Sequence, residues 1–102
     1  MSAAEIFKAL GDPVRLELVK RLADGSALPI NSLSQDLGIS RQGARKQIAV
    51  LVSAQVFQLT PAGRETLVSL NTEALEPAKQ FIHSMEHQWE LRLQALKAFV
   101  EE

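Results

Sequence analysis

The sequence predicts a mainly α-helical domain of about five helices with one small β-hairpin, and three stretches carry that expectation. Residues 31–53 read as two short helices with a turn at Gly38, residues 56–70 as two strands around Pro61 and Gly63, and residues 72–101 as one long helix with an apolar stripe. At 102 residues the chain is expected to form a single domain spanning 1–102, with a core that is adequate but not generous.

From the start of the chain, Ser2 followed by Glu5 is a capping-box pattern, opening a short helix whose apolar side is Ile6, Phe7 and Leu10. Gly11 ends it. Asp12 then caps a second helix with Pro13 at its first position, where a missing N–H costs nothing. Leu16, Val19, Leu22 and Ala23 are expected on its inner face and Gly25 at its end, with Arg15, Lys20 and Arg21 outward as solvated charges. Leu28, Pro29 and Ile30 are too few for more than a short extended link.

The stretch from Asn31 to Leu51 carries the chemistry. Leu33 and Leu37 share one helical face, Gly38 can stop that helix as a left-handed residue, and Ser40 can accept from the first free N–H groups of the next helix. Ala44, Ile48 and Leu51 give the next helix its buried side, while Arg41, Gln42, Arg45, Lys46 and Gln47 project elsewhere. Two short helices with a tight turn, the second cationic and amide-rich at its start, describe a helix-turn-helix. Arg can donate two hydrogen bonds to guanine and Gln can pair with adenine in the major groove. Helix-start N–H groups and the Ser40 hydroxyl can hold phosphate oxygens, which sets register without reading sequence. The competing reading of the same residues is a solvated helix face that happens to be basic.

After Leu51 the periodicity changes. Val56, Phe57 and Leu59 form an apolar run, and Thr66, Val68 and Leu70 alternate as a strand should. Thr60-Pro61-Ala62-Gly63-Arg64 supplies turn residues between them, so the hairpin is read as a wing with Arg64 at its tip, near a DNA backbone or minor groove. Thr60 capping a helix with Pro61 at its first position is a rival, opposed by Gly63 and the β-branched residues after it.

Asn71 can cap the last element, with Pro77 in its opening turns. Phe81, Met85, Trp89, Leu93, Leu96 and Val100 then recur at spacings of three and four, with Ile82 and Phe99 widening the stripe. So small a domain cannot cover so long a helix. Its seam asks for a partner, and the cheapest is a second copy, with Ile6, Phe7 and Leu10 of the first helix completing a homodimer interface.

Composition narrows the function classes. Hydrophobic content of 46% excludes a disordered chain, and no apolar run approaches a membrane span or signal peptide, so a cytoplasmic protein with no membrane role is expected. Without Cys there is no disulfide framework and no thiolate metal site. The net charge of −1 looks wrong for a DNA binder, but its distribution does not. From Leu37 to Arg64 there are four basic residues and no acidic one, whereas three basic residues face six acidic ones from Asn71 onward. Local field, more than the total, steers a protein to phosphate. No nucleophile, base and orienter recur at useful spacing and no Gly-rich phosphate loop exists, so an enzyme is not expected.

Leu10-Gly11-Asp12-Pro13-Val14-Arg15-Leu16 resembles the opening motif of ArsR-family repressors. The resemblance continues through Ile39-Ser40-Arg41-Gln42-Gly43-Ala44-Arg45-Lys46-Gln47-Ile48, then Gly63-Arg64-Glu65 and the Leu70-Asn71 junction, covering nearly the whole chain without insertions. It implies a winged helix-turn-helix homodimer that binds an inverted-repeat operator in double-stranded DNA and represses transcription, with the first and last helices forming the dimer interface. Three departures stand out. The helix before the turn, Ile30 to Leu37, lacks the Cys pair through which many members sense metal. Gln47 stands where His is frequent, and Gln55 replaces a usual Gly. Gly43, inside the second helix, costs about 1 kcal/mol relative to Ala, and either admits a close DNA backbone or loosens the helix.

His83 and His87 are four apart and share a helical face, which makes them the weak candidates for a zinc site. The Asp-x-His that opens such sites in the family is missing, so no metal or other cofactor is expected. The alternatives kept open are a protein–protein module whose basic helix meets an acidic partner, and a zinc-responsive repressor using His83 and His87. An inducer, a small molecule or a protein, has no sequence signature here.

Overall fold

Local signals set the first two helices. In the computed structural model, which describes residues 1–101, α1 (Ala3–Leu10) starts at a complete capping box. The Glu5 N–H donates to Ser2 Oγ at 3.2 Å and the Ser2 N–H donates to the Glu5 carboxylate at 3.4 Å. Asp12 caps α2 (Pro13–Arg21) by accepting from the N–H groups of Val14 and Arg15 at 2.9 and 3.1 Å.

The inner face of α2 differs from the expected one. Leu18 and Leu22 are fully buried, Val19 is half-buried, and Leu16 and Ala23 are exposed. Val14, Leu18 and Leu22 stand four apart and form one stripe, so Leu16, two residues from Val14 and Leu18, falls on the opposite side. The helix itself ends at Arg21, and Gly25 takes its left-handed conformation (φ 89°) beyond a further turn.

Leu28–Pro29 is a strand, β1, rather than a mere link. It pairs antiparallel with β3 (Glu65–Leu70), Leu28 opposite Val68, and β3 pairs in turn with β2 (Phe57–Ala62), so the sheet order is β1-β3-β2. Pro29 and Pro61 lie in the two edge strands, where a missing donor is tolerated. Because Ala62 pairs with Glu65, the turn consists only of Gly63 and Arg64, and Thr60 and Pro61 belong to the strand. Gly63 carries the positive φ (64°) that a tight two-residue loop needs.

The first helix of the helix-turn-helix is a single turn, α3 (Ile30–Leu33), and does not reach Leu37. Side-chain donors satisfy the carbonyls at and beyond its end. The Ser34 hydroxyl donates to the Ile30 carbonyl at 2.7 Å, and the Arg21 guanidinium donates to the carbonyls of Leu33, Gln35 and Asp36. Arg21 is therefore not a solvated charge: it holds the irregular segment in which Asp36 and Gly38 have positive φ.

The second helix, α4 (Arg41–Ser53), runs as expected from its Ser40 cap, with Ala44, Ile48 and Leu51 buried. It ends in a Schellman motif built around a non-glycine residue. The Val56 N–H donates to the Leu51 carbonyl, the Gln55 N–H donates to the Val52 carbonyl, and Gln55 itself sits at φ 64°. Asn71 does not cap the last helix by its side chain. Its Nδ2 donates to the Gln55 carbonyl at 3.2 Å and its backbone N–H to the Val56 carbonyl at 2.8 Å, tying the exit of the hairpin to the end of α4.

A short 3-10 turn (Thr72–Leu75) then leads into α5 (Glu76–Glu101), which starts four residues later than residue 72. The core joins Leu18 and Leu22 of α2, Leu33 of α3, Ile48 and Leu51 of α4, and Val56, Phe57 and Val68 around the sheet. α1 packs between this body and the start of α5. Beyond Ala78 no described residue of α5 is buried, and the helix extends the molecule to 68 × 26 × 22 Å.

Gln55 stores conformational cost, since a side-chain-bearing residue in the left-handed region costs roughly 1–2 kcal/mol. Gln55→Gly is expected to raise the unfolding free energy by about 0.5–1 kcal/mol once the larger unfolded-state entropy of Gly is subtracted. Urea unfolding monitored by circular dichroism measures it, and a destabilised variant would refute the strain.

Candidate nucleic-acid interface

The candidate surface is built on α4, whose buried inner face determines which side chains it turns outward. The Gly43 N–H donates to Ser40 Oγ at 3.0 Å, so the Ser40 hydroxyl serves first as the cap, with its own proton left to donate outward. Gly43 has a local explanation. A Cβ there would stand 3.2 Å from Ser40 Oγ, against the cap itself.

Arg41, Gln42, Arg45 and Lys46 are all exposed. Positions 41 and 45, and 42 and 46, are each one turn apart, so the four side chains make one continuous outward face over the first two turns. None of its cations makes an ion pair among the described residues, where the only pairs are Arg21–Glu17 and Lys97–Glu101. Arg45 is oriented by a hydrogen bond from its Nη2 to Asn31 Oδ1 on α3 at 2.7 Å. Arg64 is exposed at the hairpin tip, on the loop that Gly63 makes possible.

Gln47 does not join this face. It is half-buried, and its Oε1 accepts from Arg15 Nη1 at 2.6 Å. The same guanidinium donates through Nε to the Ala9 carbonyl at 2.6 Å and through Nη2 to the Lys8 carbonyl at 3.4 Å. Arg15, expected as a solvated charge, thus closes the C-terminal end of α1 and ties it to the middle of α4. A cation there also complements the helix dipole. Arg15, Arg21 and Asn31 are the positioning residues that sequence reasoning missed. Arg15 had a local signal: the Gly11-Asp12 connection brings the last carbonyls of α1 against the first turn of α2. Arg21 had none for this role, because the carbonyls it holds lie 12 to 15 residues away.

The expected dimer face divides. Phe81, Met85, Trp89, Leu93 and Leu96 form an uncovered stripe along α5, with Trp89 64% exposed. Phe7 joins it, packed edge-to-face on Phe81 with ring centroids 5.8 Å apart. Leu10 is half-buried beside the stripe. Ile6 is fully buried within the protomer and presents no surface to a partner. His83 and His87 are exposed on α5, and no group of three metal-ligating side chains occurs among the described residues. No helix among them is long and apolar enough to cross a membrane.

Residues 10–56 match the family described as "Helix-turn-helix domain". No curated protein sequence matches significantly. Among solved structures, an ArsR-like transcriptional regulator from Rhodococcus sp. RHA1 is 26% identical, with 95% of this chain and 91% of that chain covered and a TM-score of 0.74. The transcriptional repressor BigR from Xylella fastidiosa is 24% identical over 76% of this chain and 79% of that one, with a TM-score of 0.61. A homodimeric winged helix-turn-helix DNA-binding domain from Mycobacterium bovis, from a possible ArsR-family regulator, is 15% identical over 81% of this chain and 77% of that one, with a TM-score of 0.63. A helix-turn-helix segment flanked by a hairpin and end helices, in a fold shared over almost the whole length, gives this chain the winged helix-turn-helix fold of the ArsR-like transcriptional regulator it resembles.

Proposed function

We propose that two copies of this chain bind one inverted-repeat operator in double-stranded DNA and repress transcription by occupying it. One observation carries the reading: Arg41, Gln42, Arg45 and Lys46 form an unpaired outward face on a helix whose other side is locked into the core. In this reading the first turns of α4 enter the major groove, where Arg and Gln meet base edges and Lys46 meets phosphate. Ser40 donates its free proton to a backbone oxygen, and Arg64 reaches the flanking backbone from the hairpin tip. Gln47 acts from behind, as a strut under the reading face.

The dimer follows from apolar area. A stripe running from Phe7 across Phe81, Met85, Trp89, Leu93 and Leu96 has no cover within the protomer, and an isologous pairing of two copies covers it twice. The homodimeric fold relative from Mycobacterium bovis supports that choice of partner. His83 and His87 are read as surface residues, and regulation as independent of metal.

Arg41→Glu with Arg45→Glu is expected to weaken operator binding at least a hundredfold, at roughly 1–3 kcal/mol per lost contact, while leaving the dimer intact. Fluorescence anisotropy on DNA from upstream of its own gene, with sedimentation as control, measures both, and parent-like binding would remove α4 from the groove. Parent affinity should fall steeply with salt; a salt-insensitive complex would favour an acidic protein partner instead. Trp89→Glu with Leu93→Glu should convert dimer to monomer by sedimentation equilibrium and lower operator affinity with it. Zinc added to the apo protein should leave both the thermal midpoint and operator affinity unchanged, and a rise in either would restore His83 and His87 as ligands.

A further inference from the structure

Between the second half of α4 and the hairpin lies a cleft of about 530 Å³, within the roughly 300–1,000 Å³ typical of small-molecule sites. Its floor is apolar: Ile48, Ala49 and Val52 come from α4, and Leu59 comes from β2. Its rim is charged, with Arg45 and Arg64 against the single carboxylate of Glu65, a formal balance of +1 from two cations and one anion. None of the three makes an ion pair among the described residues. Arg45 is already oriented, because Asn31, itself on the rim, accepts one of its N–H groups at 2.7 Å and leaves the others uncommitted.

The DNA-binding reading uses the rim and has no use for the floor. A phosphate backbone is hydrated and polar, and gains nothing from Val52 or from Leu59, which is 45% exposed. An apolar floor beneath two guanidinium groups that lack a carboxylate partner is complementary to one chemistry. We infer that the cleft binds a small organic monocarboxylate with an aromatic or branched apolar body, its body on Val52 and Leu59 and its carboxylate between Arg45 and Arg64. Arginine's planar fork matches a carboxylate's two oxygens. The net rim charge suits a monoanion, whereas a dianion would meet Glu65 unfavourably. The two arginines cannot serve this anion and DNA together, Arg45 at a base edge and Arg64 at the backbone, so occupancy releases DNA. That regulatory consequence rests on the DNA-binding reading; the site itself does not.

Naphthoate, titrated into the free protein and followed by amide resonances, tests the site. Saturable shifts confined to Asn31, Ala49, Leu59, Arg64 and Thr66 are expected at millimolar ligand, with neutral naphthylmethanol binding at least about tenfold more weakly for want of the charge-assisted bonds. Leu59→Asn, a neutral change at an exposed edge-strand position, should weaken naphthoate at least about tenfold while the thermal midpoint reports an intact fold. No saturable shifts in the cleft, or equal binding of the neutral compound, would overturn the site. In the second arm, naphthoate should lower operator affinity of the parent protein and leave that of Leu59→Asn nearly unaffected. Operator affinity unmoved at saturating naphthoate would overturn the regulation. A protein that binds naphthoate but no DNA would instead refute the operator-binding reading and leave the site standing.

Discussion

The direction in which α4 faces depends on two guanidinium groups carried by α2. Arg15 joins the last carbonyls of α1 to Gln47 in the middle of α4, and Arg21 gathers the carbonyls of Leu33, Gln35 and Asp36 in the turn that leads into it. Hydrogen bonds from charged donors are worth roughly 1.5–3 kcal/mol each when shielded, and less at partly exposed sites such as these. Their larger contribution is geometric. Apolar burial of Ala44, Ile48 and Leu51 chooses which face of α4 points inward, but burial alone is non-directional and tolerates sliding along the helix axis. Fixed polar contacts on the body and on the preceding turn remove that freedom. A reading helix needs such rigidity, because base recognition fails when side chains miss their partners by an ångström or so.

The same division of labour explains α5. Its first turns are anchored through Ala78, and Phe7 of α1 meets Phe81 edge-to-face, so the helix leaves the body at a set angle. Past that point it carries a row of large apolar side chains with nothing over them. Helices in water draw most of their stability from packing an apolar face rather than from propensity. A 26-residue helix with one buried residue is therefore incomplete as a monomer. A second copy brings an identical stripe, and the α1–Phe81 contact then links dimer geometry to Arg15, and through Arg15 to Gln47 and α4. In the proposed dimer, assembly and DNA reading share one chain of contacts, so the interface sets how far apart the two outward faces stand.

Much of this was legible in the sequence, in proportion to how local each cause is. The caps at Ser2, Asp12 and Ser40 act within three residues, and all three form as their residue types demand. The hairpin was legible from alternation and Gly63, though the turn is tighter than its Thr60-to-Arg64 composition suggested, because an edge strand can carry Pro61. Four features needed the fold. The stripe on α2 depends on which of two overlapping apolar sets meets the core, and Leu18 prevails over Leu16 by its spacing to Val14 and Leu22. β1 exists only because β3 offers a free edge to Leu28. α3 stops after one turn where Arg21, twelve residues upstream of Leu33, satisfies the carbonyls at and beyond its end. Gln47 matched the type of a base reader but is half-buried and accepts from Arg15, a contact that only the position of Arg15 in the fold reveals.

Charge placement connects these pieces. The chain is net negative, yet the segment from Leu37 to Arg64 is purely cationic, so attraction to phosphate is concentrated on one surface and opposed by the acidic α5 segment. A strongly basic protein would hold any DNA tightly and release it reluctantly. In the proposed DNA complex, with only Arg41, Arg45, Lys46 and Arg64 per copy on the binding surface, each cation carries a large share of the affinity. Withdrawing two of them into a cleft is then enough to shift the equilibrium, without any movement of α4. Arg45 sits at the junction of all three tasks: hydrogen-bonded to Asn31, exposed on the reading face, and on the rim of the cleft. Its fixed orientation makes it competent for a planar anion and for a base edge alike, and geometry forbids both at once.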